Sequence, residues 1–259
     1  MKPTQPPCAL ALTGLSKRFG QTDIICGMDM SVAPGERIGI IGPNGAGKST
    51  LFNLISGRLQ PDSGQISLHG SRIDGKKPYE INRLGLARSF QVSNIFSQLS
   101  VFENLRCGLL WSLGYKYTFF KFLLDLDDAR DRVEALLTLL HLGKQRDTLA
   151  MHLSYSEQRA LEVGITIASG ASVILLDEPT AGMSQSETSR FIHLIRTATE
   201  GKTLLMVEHD MGVVFGLADR VAVLVYGQLL AFDTPDAVRA NAQVQQAYLG
   251  SAAEQAGFL

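Results

Sequence analysis

Gly42-Pro43-Asn44-Gly45-Ala46-Gly47-Lys48-Ser49-Thr50 is the stretch whose reading decides the fold. It fits the pattern G-x-x-x-x-G-K-S/T at every fixed position. Glycines let the backbone wrap closely around an anion, so that several N–H groups point inward as a nest. Lys48 adds a point charge within reach of outer phosphates, and Ser49 offers a hydroxyl to Mg²⁺. The helix that follows adds the positive end of its dipole. Upstream, Arg37–Ile41 reads as a buried strand. Downstream, Leu51, Phe52, Leu54 and Ile55 fall on one face of a helix that Gly57 closes. Strand, loop and helix in that order predict a nucleoside triphosphate site in an α/β fold, with every residue from Gly42 to Thr50 a candidate nucleotide contact.

Working outward, the chain alternates apolar and polar residues around Ala9–Phe19 and Ile24–Val32, then turns at Pro34-Gly35. This predicts an N-terminal antiparallel β element. Pro61-Asp62-Ser63-Gly64 reads as a turn, Gln65–His69 as a strand, Ile81–Gly85 as a short helix and Leu86–Gln91 as a strand. From about Val92 to Met151 glycine thins out and helical periodicity takes over. Ser100–Leu113 reads as a helix, and Val133, Leu136, Leu137 and Leu140 form an amphipathic stripe. Trp111–Leu124 concentrates aromatic residues and reads as a packed hairpin or a partner-docking surface. The α/β rhythm returns at Ser172. Strands are predicted at Val173–Leu176 and Thr203–Val207, with a helix burying Phe191, Ile192, Leu194 and Ile195 between them. A terminal hairpin, Val221–Val225 and Gln228–Phe232, is followed by helices at Pro235–Ala240 and Val244–Leu249.

Bulk properties narrow the class. The 259 residues suffice for one large domain or two small ones. Lys plus Arg number 24 and Asp plus Glu 25, a net charge of −1 that argues against a broad nucleic-acid face. The three cysteines, Cys8, Cys26 and Cys107, lack metal-type spacing and read as free thiols of a reduced compartment. The proline-rich start lacks the apolar region of a signal peptide. No apolar run approaches the roughly 18 residues of a membrane helix. Any membrane role therefore calls for other chains to supply the span.

A second motif sharpens the chemistry. Val173-Ile174-Leu175-Leu176 ends in Asp177-Glu178, two carboxylates at the tip of a buried strand. In an open parallel sheet such tips face the ligand crevice. Asp177 is placed to hold Mg²⁺ or its water, and Glu178 to orient a water attacking the γ-phosphate.

Together with Leu153-Ser154-Tyr155-Ser156-Glu157-Gln158 and with His209 after the next strand, these motifs resemble the ATPase subunits of ABC transporters. The resemblance covers residues 8–250. It implies one ABC ATPase domain: an α/β core at 8–91 and 172–250, a helical subdomain with the signature at 92–171, and flexible tails at 1–7 and 251–259. It implies that Phe19 stacks on adenine and that Gln91 touches Mg²⁺ and water while sensing the membrane partner. It implies that Glu178 is the catalytic glutamate and that His209 bonds the γ-phosphate. Lys48, Gln91, Glu178 and His209 are the implied catalytic set, with Ser49, Gln91 and Asp177 on the metal. Ser154, Tyr155, Ser156 and Glu157 are implied to close on ATP held by a second subunit. Tyr155 and Ser156 occupy the two glycine positions of the usual L-S-G-G-Q signature. Ser184 stands where many relatives carry aspartate.

Gly85–Gln91, Val101-Phe102-Glu103-Asn104-Leu105, Glu178–Met183, Val207–Met211 and Gln246–Gly250 are similar to the branched-chain amino-acid importers, and to the larger of their two ATPases. The implied partners are a second ATPase subunit, identical or different, two transmembrane permeases and, indirectly, a periplasmic solute-binding protein. The implied cofactors are ATP and Mg²⁺, and the implied place is the cytoplasmic face of the inner membrane. A urea-importer ATPase and a weakly active assembly subunit are the neighbouring expectations. A soluble ABC protein of translation or repair fits less well, since one cassette stands here without heptads. A P-loop kinase has no use for residues 153–158.

Overall fold

The computed structural model describes residues 8–89, 95–110, 112–113 and 127–249. Two sheets organise them. In the first, β1 (Leu10–Phe19) pairs antiparallel with β2 (Thr22–Val32) on one side and β4 (Ser63–Leu68) on the other, and β5 (Ser71–Arg72) extends the edge. The second sheet joins β3 (Arg37–Ile41), β6 (Leu86–Arg88), β7 (Val173–Asp177), β8 (Thr203–Val207), β9 (Arg220–Val225) and β10 (Gln228–Asp233). Its order is β10-β9-β3-β8-β7-β6, parallel except for the β9–β10 hairpin.

Strict alternation makes the second sheet the middle layer. Val173 and Leu175, Leu205 and Val207, Ala222 and Leu224 face the antiparallel sheet and α1 (Lys48–Ile55). Ile174 and Leu176, Leu204 and Met206, Val221 and Val223 face the helices on the other side. A strand buried on both faces has no polar row to spare, which is why β7 and β8 read as continuous apolar runs. Each fully buried Leu or Ile contributes about 1.5–3 kcal/mol by leaving water.

The helical layer holds α3 (Val101–Leu109), α4 (Asp127–Leu139), α5 (Tyr155–Ala168), α6 (Gln185–Ala198) and α7 (Met211–Leu217). Helices α8 (Pro235–Ala240) and α9 (Ala242–Leu249) close the chain. Val133, Leu137 and Leu140 of the predicted stripe are buried and Leu136 packs at their edge. They share one core with the helix-facing side of the sheet.

Several boundaries differ from expectation for local reasons. The predicted turn at Ser63-Gly64 is already strand, because Ser63 pairs with Ser16, and the strand stops at Leu68 because His69 turns left-handed at φ 48°. The helix expected at Ile81–Gly85 is α2 (Pro78–Arg83): Pro78 opens it, and Glu80 accepts the Lys77 amide at 2.7 Å. The helix expected from Ser100 starts one residue later, since Ser100 is its cap and exchanges bonds with Glu103. It ends at Leu109 rather than Leu113. Ile192 is only half-buried on α6. Gln91, Trp111, residues 114–124 and both tails lie outside the described residues.

Candidate active site

The site grows from three strand tips on one rung. Ile40 of β3 pairs with Val207 of β8, and Val207 pairs with Asp177 of β7. The segments that leave these tips, 42–50, 178–183 and 208–210, must therefore emerge side by side. The Glu178 amide donates to the Val207 carbonyl at 2.9 Å, which continues the ladder one step beyond the strand.

The loop at 42–50 wraps as its glycines demand. A side chain at Gly42 would overlap the Leu224 carbonyl. One at Gly47, whose φ is 103°, would sit 2.8 Å from the Ile24 carbonyl. Backbone on two flanks thus leaves room for nothing larger than glycine. Ala46, Gly47 and Lys48 are buried, Pro43 and Thr50 half-buried, and Asn44, Gly45 and Ser49 exposed. Lys48 Nζ donates to the carbonyls of Gly42 at 2.6 Å and Pro43 at 3.1 Å, so its charge is held over the mouth of the loop. Burial lowers its pKa from the ordinary lysine value, and the Glu178 carboxylate works in the opposite direction. An anion seated in the loop would answer the same charge.

Glu178 and His209 meet directly: His209 Nε2 lies 2.9 Å from Glu178 Oε1. Glu178 holds a left-handed backbone, φ 47°, unusual for a residue with a side chain. That turn aims its carboxylate away from the strand axis and toward the β8 tip.

Asp177 is 2% exposed. Its Oδ2 accepts from Arg88 Nη2 at 2.8 Å, while Oδ1 has no partner among the described residues. An orphaned buried carboxylate oxygen suits the hydration shell of a cation, so the residues present fit Mg²⁺. Arg88 also donates to Asn53 Oδ1 at 2.8 Å and Ser56 Oγ at 3.0 Å, tying β6 and β7 to α1.

Phe19 ends β1 opposite Thr22 and is 47% exposed, with Lys17 Nζ 5.6 Å from its ring. The Ile24 carbonyl that borders Gly47 lies two residues beyond Thr22, which puts the hairpin end beside the loop. Packed against the same Ile24 carbonyl, Gly227 donates its amide to the Ala46 carbonyl at 3.1 Å. The neighbouring Tyr226 is 87% exposed.

Ser154, Tyr155, Ser156 and Glu157 stand elsewhere, at the start of α5. Ser154 caps the helix and Glu157 Oε2 accepts its amide at 2.8 Å. Tyr155 donates its hydroxyl to the Ala181 carbonyl at 2.7 Å. Ser156 Oγ lies 3.5 Å from Ser154 Oγ, and the Glu187 carboxyl is held below the usual range first by Ser184 and then by Ser156. Ser184 itself caps α6, donating its amide and hydroxyl to Glu187. Among the described residues these bonds run to 181–187, to Gln145 and to Arg159, and none to the loop at 42–50.

Sequence reasoning missed Arg88, Thr180 and Glu208. The last had a signal: Val207-Glu208-His209 repeats, at the β8 tip, the carboxylate-after-apolar-run pattern of β7. It also missed a cleft of about 600 Å³ between α2–β6 and α3–α5. Leu86, Arg88, Cys107 and Glu162 line it, and Glu162 Oε1 is buried there without a partner among the described residues.

Comparison with known proteins places this geometry in company. A family model described as ABC transporter matches residues 25–181, and one described as branched-chain amino acid ATP-binding cassette transporter matches residues 228–254. The chain is 34% identical over 253 residues to the high-affinity branched-chain amino acid transport ATP-binding protein LivG of Escherichia coli (strain K12), covering 94% of this chain and 98% of that one. It is 34% identical over 250 residues, with the same coverage, to BraF of Pseudomonas aeruginosa, which carries the same description. Among solved structures it is similar to the ADP conformation of MJ1267, an ATP-binding cassette of an ABC transporter. The TM-score is 0.80 at 30% identity, covering 94% of this chain and 99% of that one.

Proposed function

The chain belongs to the ABC transporter ATP-binding family, and from that premise we propose that it is the ATP-hydrolysing motor of a branched-chain amino-acid importer. The observation that carries the reading is the meeting of three strand tips, where the phosphate loop, Glu178 and His209 converge. The single domain runs over 8–250, with its core at 8–91 and 172–250 and the helical subdomain at 92–171. ATP lies on residues 42–50 with Lys48 on the outer phosphates and Phe19 against adenine, where stacking is worth about 1–3 kcal/mol. Glu178 orients the attacking water, and His209 meets charge developing on the γ-phosphate. Ser49, Asp177 and Gln91 would hold Mg²⁺, which supplies neutralisation of the phosphate oxygens.

The start of α5, Ser154 to Glu157, completes the site of a second ATPase subunit. Its capping bonds leave the Tyr155 and Ser156 amides at the positive end of a 14-residue helix. The permeases dock in the cleft that Leu86–Ser89 line on the way to Gln91, where Glu162 Oε1, without a partner among the described residues, accepts a donor from the membrane subunit. Among the described residues no helix is long and apolar enough to cross a membrane; on this reading the chain is a peripheral subunit on the cytoplasmic face. The C-terminal family match and the named relatives support the amino-acid cargo over urea. Ser156 and Ser184 support a second reading, a weakly active assembly subunit.

Reconstitution with the second ATPase, the permeases and the solute-binding protein tests all three. Leucine, isoleucine or valine should stimulate ATP hydrolysis and drive uptake. Stimulation by urea alone would select the urea importer. Transport that survives Glu178→Gln in this chain would select the assembly role.

A further inference from the structure

We propose that Glu208 is a positioning residue that locks the turn carrying Glu178 to the loop carrying His209. The inference rests on the ATPase reading above. Glu208 follows the last residue of β8 and is 3% exposed. Burying a carboxylate is costly unless donors surround it. Here they come from both loops. Oε1 accepts the Thr180 amide at 2.8 Å and the Thr180 hydroxyl at 2.6 Å, and Oε2 accepts the His209 amide at 3.1 Å. Among the described residues no salt bridge reaches it, and these three donors are the hydrogen bonds its carboxylate accepts.

The arrangement answers a mechanical need. Glu178 sits at φ 47°, a strained conformation for a residue with a side chain that persists only where its surroundings enforce it. One side of the turn is fixed by the Glu178 amide on the Val207 carbonyl, and Ala181 closes it back onto the Glu178 carbonyl at 3.2 Å. Thr180, between them, is tied across to β8 through Glu208. The same carboxylate steadies the His209 backbone. Two residues that must share a 2.9 Å contact thus hang from one buried side chain, which touches neither functional group itself. Asp177 and Glu208 divide the labour of adjacent tips: among the described residues one keeps an oxygen free, the other keeps none.

Steady-state ATPase assays and ATP-binding calorimetry on the full chain, alone and with its partner subunits, test the role. Thr180→Val deletes the hydroxyl donor and keeps the shape, and Glu208→Gln turns one acceptor into a donor facing the His209 amide. Each should lower kcat about 10- to 100-fold, as small misplacements of catalytic groups do. The ATP dissociation constant should stay within about twofold, because no lost group touches nucleotide. Thr180→Ser, which keeps both donors, should restore kcat to within about twofold of the parent. A merely structural role would reduce the calorimetric binding stoichiometry and leave kcat per bound ATP unchanged. That result, or a kcat within about twofold of the parent in both variants, overturns the role of Glu208. If Glu178→Gln also leaves parental turnover unchanged, the ATPase reading falls with it.

Discussion

The phosphate-loop cluster and the start of α5 are both rich in small and polar residues, yet they spend them differently. In the first, side chains converge on a space: Lys48 is held over the loop, Glu178 touches His209, and Asp177 keeps one oxygen without a partner among the described residues. In the second, side chains turn inward on their own chain. Ser154 and Glu157 cap the helix, Tyr155 is tied to Ala181, and Ser156 Oγ lies 3.5 Å from Ser154 Oγ. The backbone amides at the helix start remain to meet an anion. The contrast fits the proposal that the first region serves as the chemical half-site and the second as the docking half-site. Chemistry needs side chains with unsatisfied capacity, whereas recognition by a helix terminus needs a rigid frame around its N–H groups.

The contrast can be broken most directly at Glu178. Glu178→Gln should cut steady-state turnover about 10²- to 10⁴-fold, the usual contribution of a general base, with ATP affinity retained. Equal rates for variant and parent would remove the chemical role from this half. Lys48→Ala comes next. Bonds to charged groups contribute about 1.5–3 kcal/mol, so ATP affinity should weaken about 10- to 100-fold in calorimetry. An unchanged dissociation constant would mean that the buried ammonium serves the loop and not the nucleotide. The smallest effect belongs to the docking half. Ser156→Gly removes a hydroxyl and a Cβ from the helix start, and turnover with the partner subunit should change by no more than about fivefold. A larger rise would show that the serine obstructs closure.

Much of this was legible in the residues. The phosphate loop announced itself because its chemistry is local: spacing fixes which N–H groups face inward, and the flanking apolar runs fix strand and helix. Asp177, Glu178 and His209 were legible for the same reason, each following a short buried run. The glycine and proline turns placed most boundaries to within a few residues. Misplaced ones, such as Ser63 and His69, were settled by pairing with β1 or by a single backbone conformation, neither of which has a strong sequence signal.

Arg88 on Asp177, Glu208 on Thr180 and Ser156 beside Glu187 were not legible at all. These contacts join segments far apart in the chain. They exist only because the sheet runs β3-β8-β7-β6 and because α5 and α6 start side by side. By itself the sequence determined the phosphate loop, the carboxylate-bearing strand tips and the family resemblance, since each is written in neighbouring residues. Tertiary structure alone decided which carboxylate keeps a free oxygen and which is saturated. Hydrogen-bond satisfaction of a buried group depends on what the fold brings against it, not on what precedes it in the chain.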